Sequence, residues 1–251
     1  MTPDLGAIIE RTPVARRPGP AKQCAFDRSR SGGSERLAGR GRAYMGRGLP
    51  GPRRYRSFEQ EGAFSCKTGR MGRTYEGIDD RLADFISRQP VFFVATAPLA
   101  ADGHVNCSPK GTRDNLNVMG ARRVAYQDMT GSGAETIAHL RENGRIVIMF
   151  CAFEGPPRIV RLHGKGRAVV RRDPDFADLV ARFPARTGTR AVISVEVERI
   201  SDSCGYGVPL MTLVAHRDNL DHWTETKGPE GLVAYRAEKN RFSVDGLPAL
   251  A

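Results

Sequence analysis

From Ile78 onward the chain switches between two hydrophobic periods. Ile78, Leu82, Phe85 and Ile86 recur on one helical face, which predicts a short amphipathic helix over 78–86 that ends before Pro90. VFFVATAP (Val91–Pro98) reads as a buried strand, and Asp102-Gly103 as a tight turn into HVNCSPKG (His104–Gly111), the second arm of a hairpin. Arg123–Asp128 predicts a third strand and Ala134–Arg141 a helix with Ile137 and Leu140 inward. RIVIMFCAF (Arg145–Phe153) is a strongly apolar strand stopped by Pro156-Pro157. RIVRLHGKGRAVVR (Arg158–Arg171) is a long strand whose Gly164 and Gly166 permit a bulge or bend. Asp173–Phe183 has Pro174 near its first turn and predicts a helix, and RAVISVEVERI (Arg190–Ile200) alternates as a strand with one wet face does. The sum is about six strands, short connections and peripheral helices. That is a mainly β fold, a small and partly open antiparallel barrel.

The first 70 residues show neither period. They hold 15 Lys+Arg against 6 Asp+Glu, together with 11 Gly and 6 Pro, whereas the remaining residues hold 24 basic against 22 acidic side chains. The basic balance of the chain therefore belongs to this segment, in runs such as RRPGP and GRGRAYMGRGLPGPRR. Such a composition buries too little apolar surface to offset ordering entropy, so 1–70 is expected to be a disordered tail. Its arginines alone would suit a phosphate-rich partner such as nucleic acid, but no nucleic-acid partner is expected. Met71 opens MGRTYEGIDD, where regular patterning begins, which is compatible with translation starting there. The expected organisation is a tail over 1–70, a barrel domain over 71–202 and a C-terminal extension over 203–251 that packs on the barrel.

The remaining chemistry narrows the class. Five cysteines and five histidines are scattered without the paired spacing of a zinc site or a disulfide framework, so no bound metal is expected and the thiols read as reduced and cytosolic. His139, on a predicted helix, reads as solvated. GAII at Gly6–Ile9 is too short for a signal peptide core, and no run approaches the roughly 18 apolar residues of a membrane span. A cytoplasmic protein is expected.

YQDMTGSGAET (Tyr126–Thr136) places a Gly-Ser-Gly turn before a helix. Ser and Gly are favoured as helix caps. The same turn also directs backbone N–H groups at whatever lies in front, as phosphate-binding turns do. Lys110, between Pro109 and Gly111, is placed to present its ammonium at a strand end, or to sit in water as an ordinary hairpin lysine. Arg158 and Arg161 are equally compatible with strand charges facing water. SCGYGVP (Ser203–Pro209) closes either a tight bend beside a ligand or a plain loop with Cys204 buried.

Taken in order, FFVATAPLAADGHVNCSPKG, YQDMTGSGAETIAHLRENGRIVIMF and PPRIVRLHGKGRAV resemble the pyridoxamine 5′-phosphate oxidase family of split-barrel flavoproteins. The resemblance runs over roughly Tyr75 to Ile200. SCGYGVP and FSVDGLP (Phe242–Pro248) are similar to a subgroup of that family found in bacteria and fungi. The resemblance implies a homodimer whose two barrels enclose two FMN molecules at their interface. It implies Lys110 near the flavin and its phosphate, Thr130 as the hydroxyl ending the third strand and Gly133 as the glycine before the helix. The candidate cofactor-binding residues are Ser108, Lys110, Thr130, Gly131, Ser132, Gly133, Thr136, Arg158 and Arg161.

One departure stands out. Oxidases of this family usually carry an Arg-Lys pair at the helix start, where this chain has Glu135-Thr136. Either Glu135 turns outward, as an acid near the positive end of the helix, or the phosphate is held by other cations such as Lys110, Arg158 or Arg161. The resemblance implies an FMN-dependent oxidoreductase acting on a small molecule or an electron donor. A non-catalytic carrier or sensor of flavin, deazaflavin or haem is the alternative.

Overall fold

The computed structural model describes residues 72–250. The expectations for the basic tail, and for Met71 as a start, lie outside these residues. Among the described residues, eight strands occur in chain order with four helices: β1 (Thr74–Tyr75), α1 (Asp80–Ser87), β2 (Phe92–Thr96), β3 (Asn106–Lys110), β4 (Leu116–Gly120), β5 (Arg123–Met129), α2 (Glu135–Glu142), β6 (Arg145–Cys151), β7 (Ile159–Val170), α3 (Phe176–Val180), β8 (Thr189–Ser203) and α4 (Asn219–Lys239). All pairings are antiparallel, in the order β3-β2-β6-β7-β8-β5-β4, with β1 added along β8. The sheet curls around one apolar core but ends on two edges, β3 and β4, which makes it a split barrel.

Six of these strands coincide with the six read from periodicity. β1 is two residues long, and β4 (LNVMG) mixes Asn and Gly with its apolar residues, so neither carries a period. The connection from β2 to β3 runs from Ala97 to Val105, longer than the tight Asp102-Gly103 turn expected there. α4 was not anticipated because Gly228 and Pro229 lie within it. Gly228 has a φ of 66°, and the helix kinks at that point.

The core explains the pattern. Val94, Val124, Tyr126, Ile148, Leu162, Ile193, Val195 and Ile200 are buried on the inner face, under Leu82, Phe85 and Ile86 of α1 and Ile137 and Leu140 of α2. Asp79 caps α1, its side chain accepting from the Leu82 N–H at 2.8 Å, as short acidic residues do before a helix. β8 departs from the one-wet-face reading. Val192, together with Ala125 and Val169, packs outward against Phe176, Leu179 and Phe183, so α3 keeps that half of the strand dry.

The segment after β8 is anchored on the barrel. Thr224, Leu232, Asn240 and Ala249 are buried, Arg186 meets Asp221 at 3.4 Å, and His104 of the β2–β3 loop holds Asp245 through both its backbone N–H and its ring. Among the described residues, no helix is long and apolar enough to cross a membrane.

β7 bends where its register against β8 shifts, between His163 and Gly164. A methyl group at Gly164 would run into the Glu196 carbonyl, whereas nothing lies within 4 Å of the corresponding point at Gly207. Gly164→Ala is therefore expected to cost about 1–3 kcal/mol of stability by overpacking against backbone. Gly207→Ala should stay within roughly 0.5 kcal/mol of the parent. Urea unfolding of the two variants checks this, and equal midpoints would contradict the tight β7–β8 crossing.

Candidate functional site

A cleft of about 300 Å³ opens between the β3 edge of the sheet and the end of β5 with the turn and helix that follow it. On β3 the side chains alternate between half-buried and exposed, so Asn106, Ser108 and Lys110 share the face that lines the cleft, while Cys107 faces water and the exposed Pro109 borders the cleft mouth. Across from them stand Gln127 and Met129 of β5, the turn Thr130–Gly133, Glu135 and Thr136 at the start of α2, and Arg190 of β8. Two contacts bridge the opening. Asn106 Nδ2 donates to Thr136 Oγ1 at 3.0 Å, and Lys110 Nζ reaches Asp128 Oδ1 at 3.4 Å.

Seven of the nine candidate residues thus meet in one place: Ser108, Lys110, Thr130, Gly131, Ser132, Gly133 and Thr136. The other two do not. Arg158 donates to Tyr75 Oη at 2.8 Å, pairs with Asp202 at 3.4 Å and stacks over the Phe85 ring at 4.8 Å. Arg161 donates to Ser203 Oγ at 3.0 Å. Both arginines are committed to β1, β8 and α1, not to the cleft of their own chain. Cys204 is exposed instead of buried, and Gly205 takes a φ of 68° against the Arg158 backbone, so SCGYGVP forms a loop that the cleft does not include.

Beneath the cleft lies a buried ion pair. Arg190 Nε meets Asp128 Oδ2 at 2.6 Å, the two side chains being 5% and 1% exposed. Burial works to raise the Asp128 pKa, but Arg190 and Lys110 outweigh it and hold the carboxyl below its ordinary value. The adjacent Tyr126 hydroxyl is buried, and burial pushes its pKa well above the ordinary tyrosine value, so it stays protonated. Ser108 Oγ is likewise buried and unpartnered.

The turn's backbone is oriented from behind. Arg190 donates to the Gly133 carbonyl at 2.8 Å, and Asn240 Nδ2 to the carbonyls of Gly131 at 2.9 Å and Ser132 at 3.4 Å. A trans peptide sets N–H opposite C=O, so the N–H groups of Ser132, Gly133 and Ala134 are turned away from Arg190 and Asn240. None of the three donates to another group among the described residues, and α2 has no side-chain cap. Successive outward N–H groups at a helix start make an anion-binding concavity. The Thr130 hydroxyl serves the frame instead, donating to the Gly188 carbonyl at 2.8 Å and accepting from Arg236 at 2.9 Å.

Glu135 does not turn outward. Its carboxylate folds back over Gly133, where an added methyl group would strike Oε2. An acid at the positive end of the helix is stabilised there. His139 is buried instead of solvated, with Nδ1 2.9 Å from Thr96 Oγ1, and burial lowers its pKa, which keeps the ring neutral. Since Thr96 Oγ1 accepts from Asn106 at 3.1 Å, its proton is free for His139, and a polar chain runs from the cleft to the α2 interior.

Asp128, Arg190, Asn106 and Asn240 were missed by sequence reading. Asn106 was within reach, because strand alternation from Ser108 and Lys110 leads to it. The others are joined to the turn only by the fold. A second, more apolar cleft of about 480 Å³ adjoins the first, sharing Gly111, Thr112 and Leu220, and is walled by Pro90, Val91, Phe153, Met211, Leu213 and Val214. Among the described residues, no group of three or more His, Cys, Asp or Glu is placed to hold a metal ion.

A depressed carboxyl stabilises the fold above its unfolded pKa of about 3.9, and that contribution is lost as pH falls through the lower, folded value. Asp128→Asn leaves Arg190 buried without a counter-charge and should cost about 3–5 kcal/mol at neutral pH. Urea unfolding at neutral pH and below pH 4 tests both points. The parent should lose stability in acid that the variant has already lost, and an acid response unchanged in the variant would contradict the assignment.

A family model for pyridoxamine 5′-phosphate oxidase matches residues 78–204. The pyridoxamine 5′-phosphate oxidase family protein ustO of Aspergillus flavus is 42% identical over 192 residues, covering 70% of this chain and 77% of that protein. Among solved structures, HupZ of Group A Streptococcus is 24% identical with a TM-score of 0.38, covering 49% of this chain and 91% of that one. An FMN-binding protein of Syntrophomonas wolfei is 15% identical with a TM-score of 0.36, covering 54% and 85%. By the extent of the family match and the identity to the fungal relative, the chain belongs to the pyridoxamine 5′-phosphate oxidase family.

Proposed function

We propose that this protein binds a flavin, FMN in the first place, in the cleft between β3, the Thr130–Gly133 turn and α2, and that it acts as a flavin-dependent oxidoreductase. The observation that carries this reading is the convergence of Ser108 and Lys110 from β3 with a turn whose N–H groups are turned outward and uncapped. These donors suit a terminal phosphate, and the unpartnered Ser108 Oγ suits a polar edge of the same ligand. A bound flavin would supply hydride or electron transfer, while the protein contributes position and hydrogen bonds. Lys110 shares Asp128 with Arg190, so it keeps part of its charge for an incoming anion. Glu135 opposes that anion and has to swing aside. The adjoining apolar cleft is the place for an organic substrate with an apolar face.

A homodimer fits the same reading. Leu210, Met211, Leu213 and Val214 form an exposed apolar run next to the clefts, Val214 being 96% exposed, and a second copy is the partner that closed symmetry offers for such a surface. Sedimentation of dilute protein is expected to give a dimer. A monomer carrying stoichiometric cofactor would remove the shared-interface part of the proposal.

The cofactor itself is tested by the absorption spectrum of purified protein, where a flavin is expected and a haem or deazaflavin spectrum would overturn the assignment. Titration calorimetry then tests the residues. Lys110→Ala should weaken FMN binding about tenfold, the worth of one charge-assisted hydrogen bond, and leave riboflavin unaffected. Glu135→Lys should tighten FMN by removing the competing carboxylate. Unchanged FMN affinity in both variants would reduce the turn to a helix start without a ligand.

A further inference from the structure

The turn that faces the cleft is shaped by a part of the chain beyond the family match, which ends at residue 204. Asn240, directly after α4, is fully buried. Its Nδ2 donates to the Gly131 carbonyl at 2.9 Å and, more weakly, to that of Ser132 at 3.4 Å, while its Oδ1 accepts from Arg190 Nη1 at 2.9 Å. The same Arg190 nitrogen donates to the Gly133 carbonyl at 2.8 Å. Three successive carbonyls are thereby drawn to one side by two side chains. One turn of helix earlier, Arg236 Nε donates to Thr130 Oγ1 at 2.9 Å. Asn240 is itself held in place: its N–H donates to the Arg236 carbonyl and its carbonyl accepts from the Leu250 N–H, both at 2.9 Å.

These bonds matter because of what the turn is made of. Gly131 and Gly133 flank Ser132, and glycine peptides rotate between opposite orientations at little steric cost. Left to itself, TGSG would sample conformations in which one or more N–H groups face away from the cleft. Drawing the carbonyls inward removes that freedom before any ligand arrives, so the ordering cost of binding falls on folding instead.

We infer that Asn240 is the positioning residue of the anion-binding turn, with Arg236 fixing Thr130 beside it, so that the C-terminal segment is a required part of the cofactor site and not an accessory to the barrel. This rests on the flavin reading above. It assigns to Asn240 no contact with the ligand. Its effect falls on the phosphate end of the cofactor, since the groups it orients are the outward N–H groups of the turn.

The test compares FMN with riboflavin, which lacks the phosphate, on full-length protein by titration calorimetry. In the parent, FMN should bind more tightly than riboflavin. Asn240→Ala should lower FMN affinity about tenfold, in line with losing a preorganised set of donors, and leave riboflavin affinity in place. Asn240→Leu, which keeps the volume without the amide, serves where the alanine variant does not fold and should show the same collapse of the FMN-to-riboflavin ratio. A general loosening of the fold would weaken both ligands together and leave the ratio intact. A folded variant at Asn240 with the parental ratio overturns this inference alone and leaves the flavin reading standing. A parent that binds FMN no more tightly than riboflavin overturns this inference together with the placement of the phosphate on the turn, and one that binds neither overturns the flavin reading as well.

Discussion

Asp128 and Arg190 meet at 2.6 Å with almost no access to water, and the site is organised around that contact. An arginine buried to this degree requires a counter-charge and further acceptors, and one carboxylate alone does not occupy its five donors. Its Nη1 goes to the Gly133 carbonyl and to Asn240, which in turn takes the carbonyls of Gly131 and Ser132. Satisfying one buried charge therefore fixes the orientation of a glycine turn. The second oxygen of Asp128 receives Lys110 from the far edge of the sheet at 3.4 Å, so the same carboxylate helps bridge the split.

The split itself follows from the sheet. Seven strands in an unbranched antiparallel path leave two edges, and here β3 and β4 do not pair with each other. An unpaired edge exposes backbone groups that must be covered or used. In this protein the side chains of β3 reach across to the start of α2 through Asn106 with Thr136 and to β5 through Lys110 with Asp128, leaving a polar cleft instead of a closed wall. The core around it is apolar and continuous, which gives the polar residues a rigid frame. Glu135 and the turn then set the character of the cleft wall: N–H groups that no other group of the described residues takes up, with an acidic side chain of the protein's own folded back over Gly133.

Most of the fold was legible because the signals are local. β2, β5, β6, β7 and β8 each bury an apolar face, and α1 and α2 bury residues at helical spacing, so their side chains announce the period directly. β4 and α4 carry no comparable signal, and a glycine-proline pair conceals the helix that supplies Arg236 and Asn240. The one-wet-face reading of β8 failed because alternation reveals which side chains share a face but not whether a later element, here α3, covers the other.

For the site, the sequence by itself determined the donors: Ser108 and Lys110 at a strand end, and a Gly-Ser-Gly turn opening a helix, which its resemblance to a flavoprotein family placed together. Only the tertiary structure decided how those donors are aimed. Asp128 and Arg190 are 62 residues apart, and Asn240 lies 109 residues from the Gly131 carbonyl it holds. It also decided that Glu135 folds inward and that Arg158 and Arg161 serve Asp202, Tyr75 and Ser203 away from the cleft. The physical reason is that a charge or an amide can satisfy itself with any partner the fold brings near. Composition and periodicity record the burial of apolar faces, but they do not record which distant polar group a buried arginine or asparagine will meet.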